Sequence, residues 1–422
     1  MYFFYYYPVG VDQPRRCPPA VTAAFAAAMA LAFAWLHYFP HALPLDPTRL
    51  VYLGPSLAPW TAVTAVFLHA GWFHLLSNLV YIVVLGPLLE DCLGHARFLL
   101  YFLMMGACGN LTHGAVAAAG LSGGPVVGVL GASGAIAGML AFLMLRFPYA
   151  RVAMAWWVFS PLQGYNRVGR SYVPLVVAVG VWLALQVVYG LVARESGTQV
   201  AYWAHFGGFA LGLFLAIALG YQREGRAGAK LARARRALDK GDAWAAEGAL
   251  LEYLRLAPED LEAGLQLARV RRMSGRPAEA RRIYRETYGR AAALGRRDLT
   301  LAIYREARRG DAPLALPAAE LAHIAFLLEK QGDFPGAVEA YLDLYRFHRD
   351  DSRAELAVVR AAVLTRARLG DEAAAREWLQ VALREFPDGL WRDYLAREFK
   401  LAAAPRAAAP AGGAGRWPSP AV

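Results

Sequence analysis

Apolar positions crowd the first half of the chain and thin out abruptly in the second. Up to about Tyr221 charge is sparse, and six apolar stretches recur at or just below membrane-helix length. The first, residues 20–39 (AVTAAFAAAMALAFAWLHYF), is long enough to span a bilayer. The second runs from near His74 to about Leu89 and is closed by Glu90 and Asp91. The third covers Phe98 to about Ala119, the fourth 132–147, the fifth about 172–193 and the sixth 203–221. Several are short for a lipid-facing helix, which suits helices held inside a bundle. Between the first two, Pro40, Pro44, Pro47, Pro55 and Pro59 interrupt residues 40–68, predicting an interfacial loop with Trp60 and Phe67. A glycine-rich connection (Gly120, Gly123, Gly124, Pro125, Gly128, Gly131) leads into the fourth span.

Beyond Tyr221 the pattern changes to Ala-, Tyr- and Leu-rich helices punctuated by Gly241, Gly275, Gly310, Gly332 and Gly370. Gly241 and Gly275 are 34 residues apart, the period of a tetratricopeptide repeat. Pro258 and Pro387 each follow a turn glycine by 17 residues, and Ala280 and Tyr284 match Ala337 and Tyr341 in role. The later spacings are irregular. The expected fold class is all-α: a polytopic six-helix transmembrane bundle, then a soluble α-helical, tetratricopeptide-like repeat domain. The expected division is a cytoplasmic lead-in (1–19), a membrane domain (20–221), a cytoplasmic repeat domain (222–400) and a disordered Ala/Pro/Gly-rich tail (401–422).

Composition agrees with a membrane half. Hydrophobic content of 57% and a mean hydropathy of +0.31 exceed those of ordinary soluble proteins. The net charge of +11 rests on arginines in the soluble half and at the ends of apolar stretches. Arg15, Arg16, Arg97, Arg146, Arg151, Arg167, Arg170, Arg223, Arg226 and Lys230 fall on one side of a six-span topology, against Arg49 and Arg194 on the other. Both termini are therefore expected in the cytoplasm, and the charge reads as membrane flanks rather than a nucleic-acid surface. The aromatic start MYFFYYYPVG lacks a signal-peptide layout, so the first span is expected to stay as an anchor in a bacterial cytoplasmic membrane. Cys17, Cys92 and Cys108 show neither ligand nor disulfide spacing.

The fourth span opens on Gly131-Ala-Ser-Gly-Ala-Ile-Ala-Gly138, an unusual place for a hydroxyl. Serine becomes a nucleophile only with a base to take its proton and donors to hold the developing oxyanion. Ser133 lies at a helix start, where backbone N–H groups are free. His205, in AHFGGFALG of the sixth span, is the expected base. Gly134 and Gly138 face Gly208 and Gly212 as small-residue stripes that let two helix backbones meet. His74 and Asn78, four residues apart, share one helix face and can aim donors at the same point. Each feature also has a plainer reading: serines back-bond to their own helix, glycine pairs pack helices, and membrane histidines join helices. Their conjunction at one depth favours chemistry, because ionisable groups inside a membrane are costly. His41, His95 and His113 read as loop or interface residues, His323 and His348 as repeat residues, and Glu90 as a helix-end charge. No carboxylate occupies a third triad position, so a Ser–His dyad is expected.

The stretches HAGWFHLLSN, Gly86 to Phe98, GASGAIAG and AHFGGFALG resemble the rhomboid family of intramembrane serine proteases over about residues 55–221. The resemblance implies Ser133 as nucleophile and His205 as general base. It implies that His74, Asn78 and the Ser133 N–H form the oxyanion site, with His69 ordering the first loop, and no metal or cofactor. The implied reaction is peptide-bond hydrolysis in or beside a substrate's transmembrane segment. Two positions depart from the family. Trp60 is followed by Thr61 where the family often has Arg, and Ala137 stands where a Tyr or Phe commonly packs on the histidine. Phe206 or another aromatic is expected to fill that space. The expected partners are membrane-protein substrates, the bilayer and a cytosolic protein bound by the repeats. The alternative is a non-catalytic adaptor that binds transmembrane helices and docks a cytosolic partner. A transporter finds no support, since no inverted repeat is apparent.

Overall fold

The apolar stretches fold as helices, and three segments rich in aromatic and β-branched residues fold as strands. The computed structural model describes residues 3–39, 46–54, 58–121, 128–196, 201–309 and 313–399. Pro40, His41, Pro44, Pro55, Gly123, Gly124, Pro125, Gly310 and the tail 401–422 lie outside the described residues. Two compact units divide the chain, Met1–Ala257 and Pro258–Val422.

In the first unit β1 (Phe3–Val11) leads to α1 (Ala20–Tyr38), the short α2 (Thr61–Thr64), α3 (Trp72–Leu93), α4 (His95–Ala118) and α5 (Ser133–Arg146). Then come β2 (Arg151–Ser160), β3 (Tyr165–Pro174), α6 (Leu175–Ser196), α7 (Tyr202–Ala218), α8 (Tyr221–Asp239) and α9 (Ala243–Leu256). By length and composition α1, α3 and α4 are apolar enough to cross a membrane, and α7 with α8 form a pair bent by 77°. Helix α5 and Leu175–Gly190 of α6 are shorter apolar helices. At 14 residues α5 rises only about 21 Å, less than a bilayer core. It is not a lipid-facing helix: every residue from Gly134 to Leu143 is buried. Around it Phe98, Phe102 and Met105 of α4 and Phe209 of α7 belong to one apolar core.

The strands correct the all-α expectation and the reading of the N-terminus as a bare lead-in. They form one antiparallel sheet in the order β1-β2-β3. Tyr5 pairs with Trp157 in register and their rings stack at 5.5 Å. Trp157 Nε1 donates to Asn166 Oδ1 at 2.7 Å across the β2–β3 hairpin, whose turn ends on Gly164 at φ 62°. Aromatic and β-branched side chains suit such a pleated surface. The fifth helix consequently starts at Leu175, after a strand ends at Pro174.

Glu90 is also corrected. It is fully buried rather than a helix-end charge, and it accepts from Val21 N, Thr22 N and Thr22 Oγ1 at 2.8, 2.8 and 2.6 Å. A carboxylate on α3 thereby satisfies the free N–H groups that begin α1. His95 completes it, with Nδ1 2.6 Å from Oε1.

The second unit is helical throughout its described elements: α10 (Leu261–Met273), α11 (Pro277–Ala293), α12 (Arg297–Arg309), α13 (Ala318–Lys330), α14 (Phe334–Phe347), α15 (Ala354–Leu369), α16 (Glu372–Glu385) and α17 (Arg392–Glu398). Gly332 and Gly370 take left-handed φ of 78° and 71°, and the aspartate after each caps the next helix. Asp333 accepts from Gly336 N and Asp371 from Ala374 N, each cap contributing about 1 kcal/mol. Gly295, absent from the expected set, is another such turn. At the centre of this unit Asp343 is fully buried, taking Tyr304 Oη at 2.8 Å and Arg308 Nη1 at 3.0 Å. Burial pushes its carboxyl up, and Arg308, Tyr304 and Arg346 pull it back only in part. Asp343→Ala is expected to destabilise the repeat helices by about 2–4 kcal/mol, because the Tyr304 hydroxyl loses its acceptor inside the core. Urea unfolding of the full chain in detergent checks this; an unchanged midpoint would refute it.

Candidate active site

Backbone pairing fixes the approach to Ser133. Tyr52 and Val129 form an antiparallel bridge, with Val129 N donating to Tyr52 O at 2.8 Å. Two residues on, Gly131 N donates to Ala65 O at 2.8 Å. Gly131 takes φ +118°, and a Cβ there would lie 2.7 Å from His74 Nε2, so both the backbone and the imidazole require glycine. Ser133 is the first residue of α5, a position whose backbone N–H has no acceptor within the helix.

Helices α5 and α7 meet backbone to backbone. A Cβ at Gly208 would overlap the Gly134 carbonyl oxygen, one at Gly212 the Gly138 carbonyl oxygen, and one at Gly138 would lie 2.7 Å from Gly208 O. Gly134 itself packs on Ala204 O. This contact brings Ser133 Oγ to 2.8 Å from His205 Nε2. A cavity of ≈ 570 Å³ opens on this pair, with His74, Ser77, Asn78, Asn110, Ser133 and His205 among its lining.

The remaining expected residues occupy defined places. His74 lies against Gly131, on the same cavity as Ser133. Asn78 lines that cavity too, although its Nδ2 donates to the His74 carbonyl at 2.9 Å. His69 is buried outside the lining, with Nδ1 3.3 Å from Phe67 O and its ring 5.1 Å from that of His74. Among the described residues no Asp or Glu lines the cavity, and none form a cluster of three potential metal ligands.

Two contacts were not anticipated. His205 Nδ1 is 2.7 Å from Gln186 Oε1, and the Trp182 ring lies 5.9 Å from the imidazole. Both come from α6, one helical turn apart. Of the aromatics expected beside His205, Phe206 packs instead on Trp203 at 5.8 Å, while Trp182 at 5.9 Å and Tyr202 at 6.3 Å are the rings next to the imidazole. Ala137 is fully buried in α5. The signal for Gln186 is present in the sequence, as the one amide in the apolar run 175–191.

This arrangement can deprotonate a hydroxyl and hold an anion beside it. Comparison with known proteins points to one family of membrane proteins. Residues 57–222 match the family model described as Rhomboid domain. RHOMBOID-like protein 7 of Arabidopsis thaliana is 30% identical over 164 residues, covering 37% of this chain and 43% of its own length. The putative rhomboid protease YdcA of Bacillus subtilis is 46% identical over 52 residues, covering 12% and 26%. Rhomboid-type serine protease 2 of Emericella nidulans is 28% identical over 155 residues, covering 37% and 26%. The chain thus spans less than half the length of each of these relatives. Together the domain match and the relatives support the rhomboid family for residues 57–222 of a multi-pass membrane protein.

Proposed function

We propose that this chain is an intramembrane serine endopeptidase, with Ser133 as nucleophile and His205 as general base. The observation that carries the reading is the 2.8 Å contact between Ser133 Oγ and His205 Nε2 on the wall of a cavity that His74 and Asn78 also line. In the proposed step the Oγ proton passes to Nε2 while Oγ bonds to the scissile carbonyl carbon, and the carbonyl π pair moves to oxygen. The Ser133 N–H, His74 and Asn78 are the proposed donors to that oxyanion. The imidazolium then protonates the departing amine, and water releases the acyl group by the reverse sequence. Trp182 beside His205 supports the reading where Ala137 leaves no ring of its own.

The proposal includes six spans formed by α1 and α3 to α7, cytoplasmic termini in a bacterial inner membrane, and a domain boundary near residue 222. Proteoliposomes containing the full chain are expected to cut a single-span substrate that has small residues near the outer face, and a fluorophosphonate probe is expected to label Ser133. Substrate bound but uncut, with no probe incorporated, would favour the adaptor. For the second unit the proposed role is tetratricopeptide-like binding of a cytosolic protein. The paired, capped helices support it. A pull-down with the full chain that returns the same proteins as a chain lacking 258–399 would argue against that role.

A further inference from the structure

Gln186 is the one amide in the apolar run 175–191 of α6. Val181, Leu185, Val187 and Val188 of α6 are exposed, whereas Val179 is buried and Trp182 and Gln186 turn inward on the same stripe. An amide in such surroundings is costly unless it is hydrogen-bonded. Its Oε1 meets His205 Nδ1 at 2.7 Å. An amide oxygen can only accept, so Nδ1 carries the proton, and Nε2 then presents its lone pair to Ser133 Oγ.

We infer that Gln186 is a positioning residue that holds His205 in the Nδ1–H tautomer, with Nε2 free to take the Ser133 proton. The inference rests on the Ser133–His205 reading and adds to it. With no partner at Nδ1, the ring can adopt the Nε2–H tautomer, which aims a donor at Ser133 and cannot accept its proton. Trp182, 5.9 Å away, limits rotation of the ring but offers no acceptor. A neutral amide selects the tautomer without adding a buried charge, in a cavity that no carboxylate lines.

The test uses the full chain in proteoliposomes, with Gln186→Met, which keeps the volume and removes the acceptor, and Gln186→Glu, which keeps the acceptor. Gln186→Met is expected to lower kcat about 10- to 100-fold with KM within about twofold. Gln186→Glu is expected to retain more kcat than Gln186→Met and to move the acid limb of the pH–rate profile about one unit upward, since a carboxylate favours imidazolium. Nitrogen-15 spectra of histidine-labelled protein, with the His205 signal assigned by a His205→Ala sample, are expected to gain Nε2–H tautomer in Gln186→Met. Unchanged kcat and an unchanged tautomer in Gln186→Met would overturn the inference. So would equal losses in both variants with an unmoved pH limb, which mark a packing role. If wild type fails to cut, or Ser133→Ala cuts equally well, the protease reading falls, and the tautomer spectra alone decide the role of Gln186.

Discussion

Ser133→Ala is expected to lower cleavage of a transmembrane substrate by a factor on the order of 10⁴ or more, and His205→Ala by a similar factor. Removing Oγ deletes the proposed nucleophile, the hydroxyl 2.8 Å from His205 Nε2. Removing the imidazole leaves that hydroxyl protonated at working pH. The two side chains act as one unit, so the double variant is expected to be no slower than the worse single variant. Cleavage measured in proteoliposomes against all three variants checks this. Losses that multiply, or a single variant within about tenfold of wild type, would show that the pair does not work as nucleophile and base. Binding of an uncut substrate should survive in all three.

The second large effect is expected from Gly208→Ala. The added Cβ would overlap the Gly134 carbonyl oxygen, and backbone cannot rotate aside as a side chain can. Helices α5 and α7 must then separate, and the 2.8 Å contact between Ser133 and His205 sits within a turn of that crossing. A displacement of about 1 Å takes the pair beyond hydrogen-bond range. Cleavage is expected to fall by a factor on the order of 10² or more, with far-UV circular dichroism showing the helices still formed. Gly180→Ala is the matched control, because nothing lies within 4 Å of a Cβ there. It should leave cleavage unchanged and can stabilise α6 by up to about 1 kcal/mol. Equal behaviour of the two variants would remove the argument from close approach.

The glycine stripes, Ser133 and His205 were legible because each is a local pattern: small residues at helical spacing, and polar groups at odd places in apolar runs. Gln186 belongs to the same class of oddity, yet its meaning depends on which residue of another helix it meets. Glu90 misled for a related reason. Beside Asp91 at a helix end it looks solvated, and only the start of α1, about 70 residues earlier, turns it into a buried cap. The sheet was hidden by distance as well. Phe3 to Val11 has no strand partner nearby in the chain; its partner is β2, beginning at Arg151. Gly332 and Gly370 were readable through the Gly-Asp pair, which couples a left-handed residue to a helix cap, whereas Gly275 and Gly295 are left-handed with an arginine after them. That an aromatic stands beside His205 was readable, but not which one: helical geometry turns Phe206 toward Trp203, and Trp182 comes from another helix.

The bridge between Tyr52 and Val129 has a consequence for how this chain can vary. Main-chain bonds ignore side-chain identity, so the hold on the fourth span does not depend on what stands at exposed Leu53 or half-buried Leu130. Length is another matter. Tyr52 O receives Val129 N while Ala65 O receives Gly131 N, which makes Val129 to Gly131 a spacer of set reach. A one-residue deletion there would force one of the two bonds to break. For this hold, drift in spelling at Leu130 is therefore cheap, and drift in length is not.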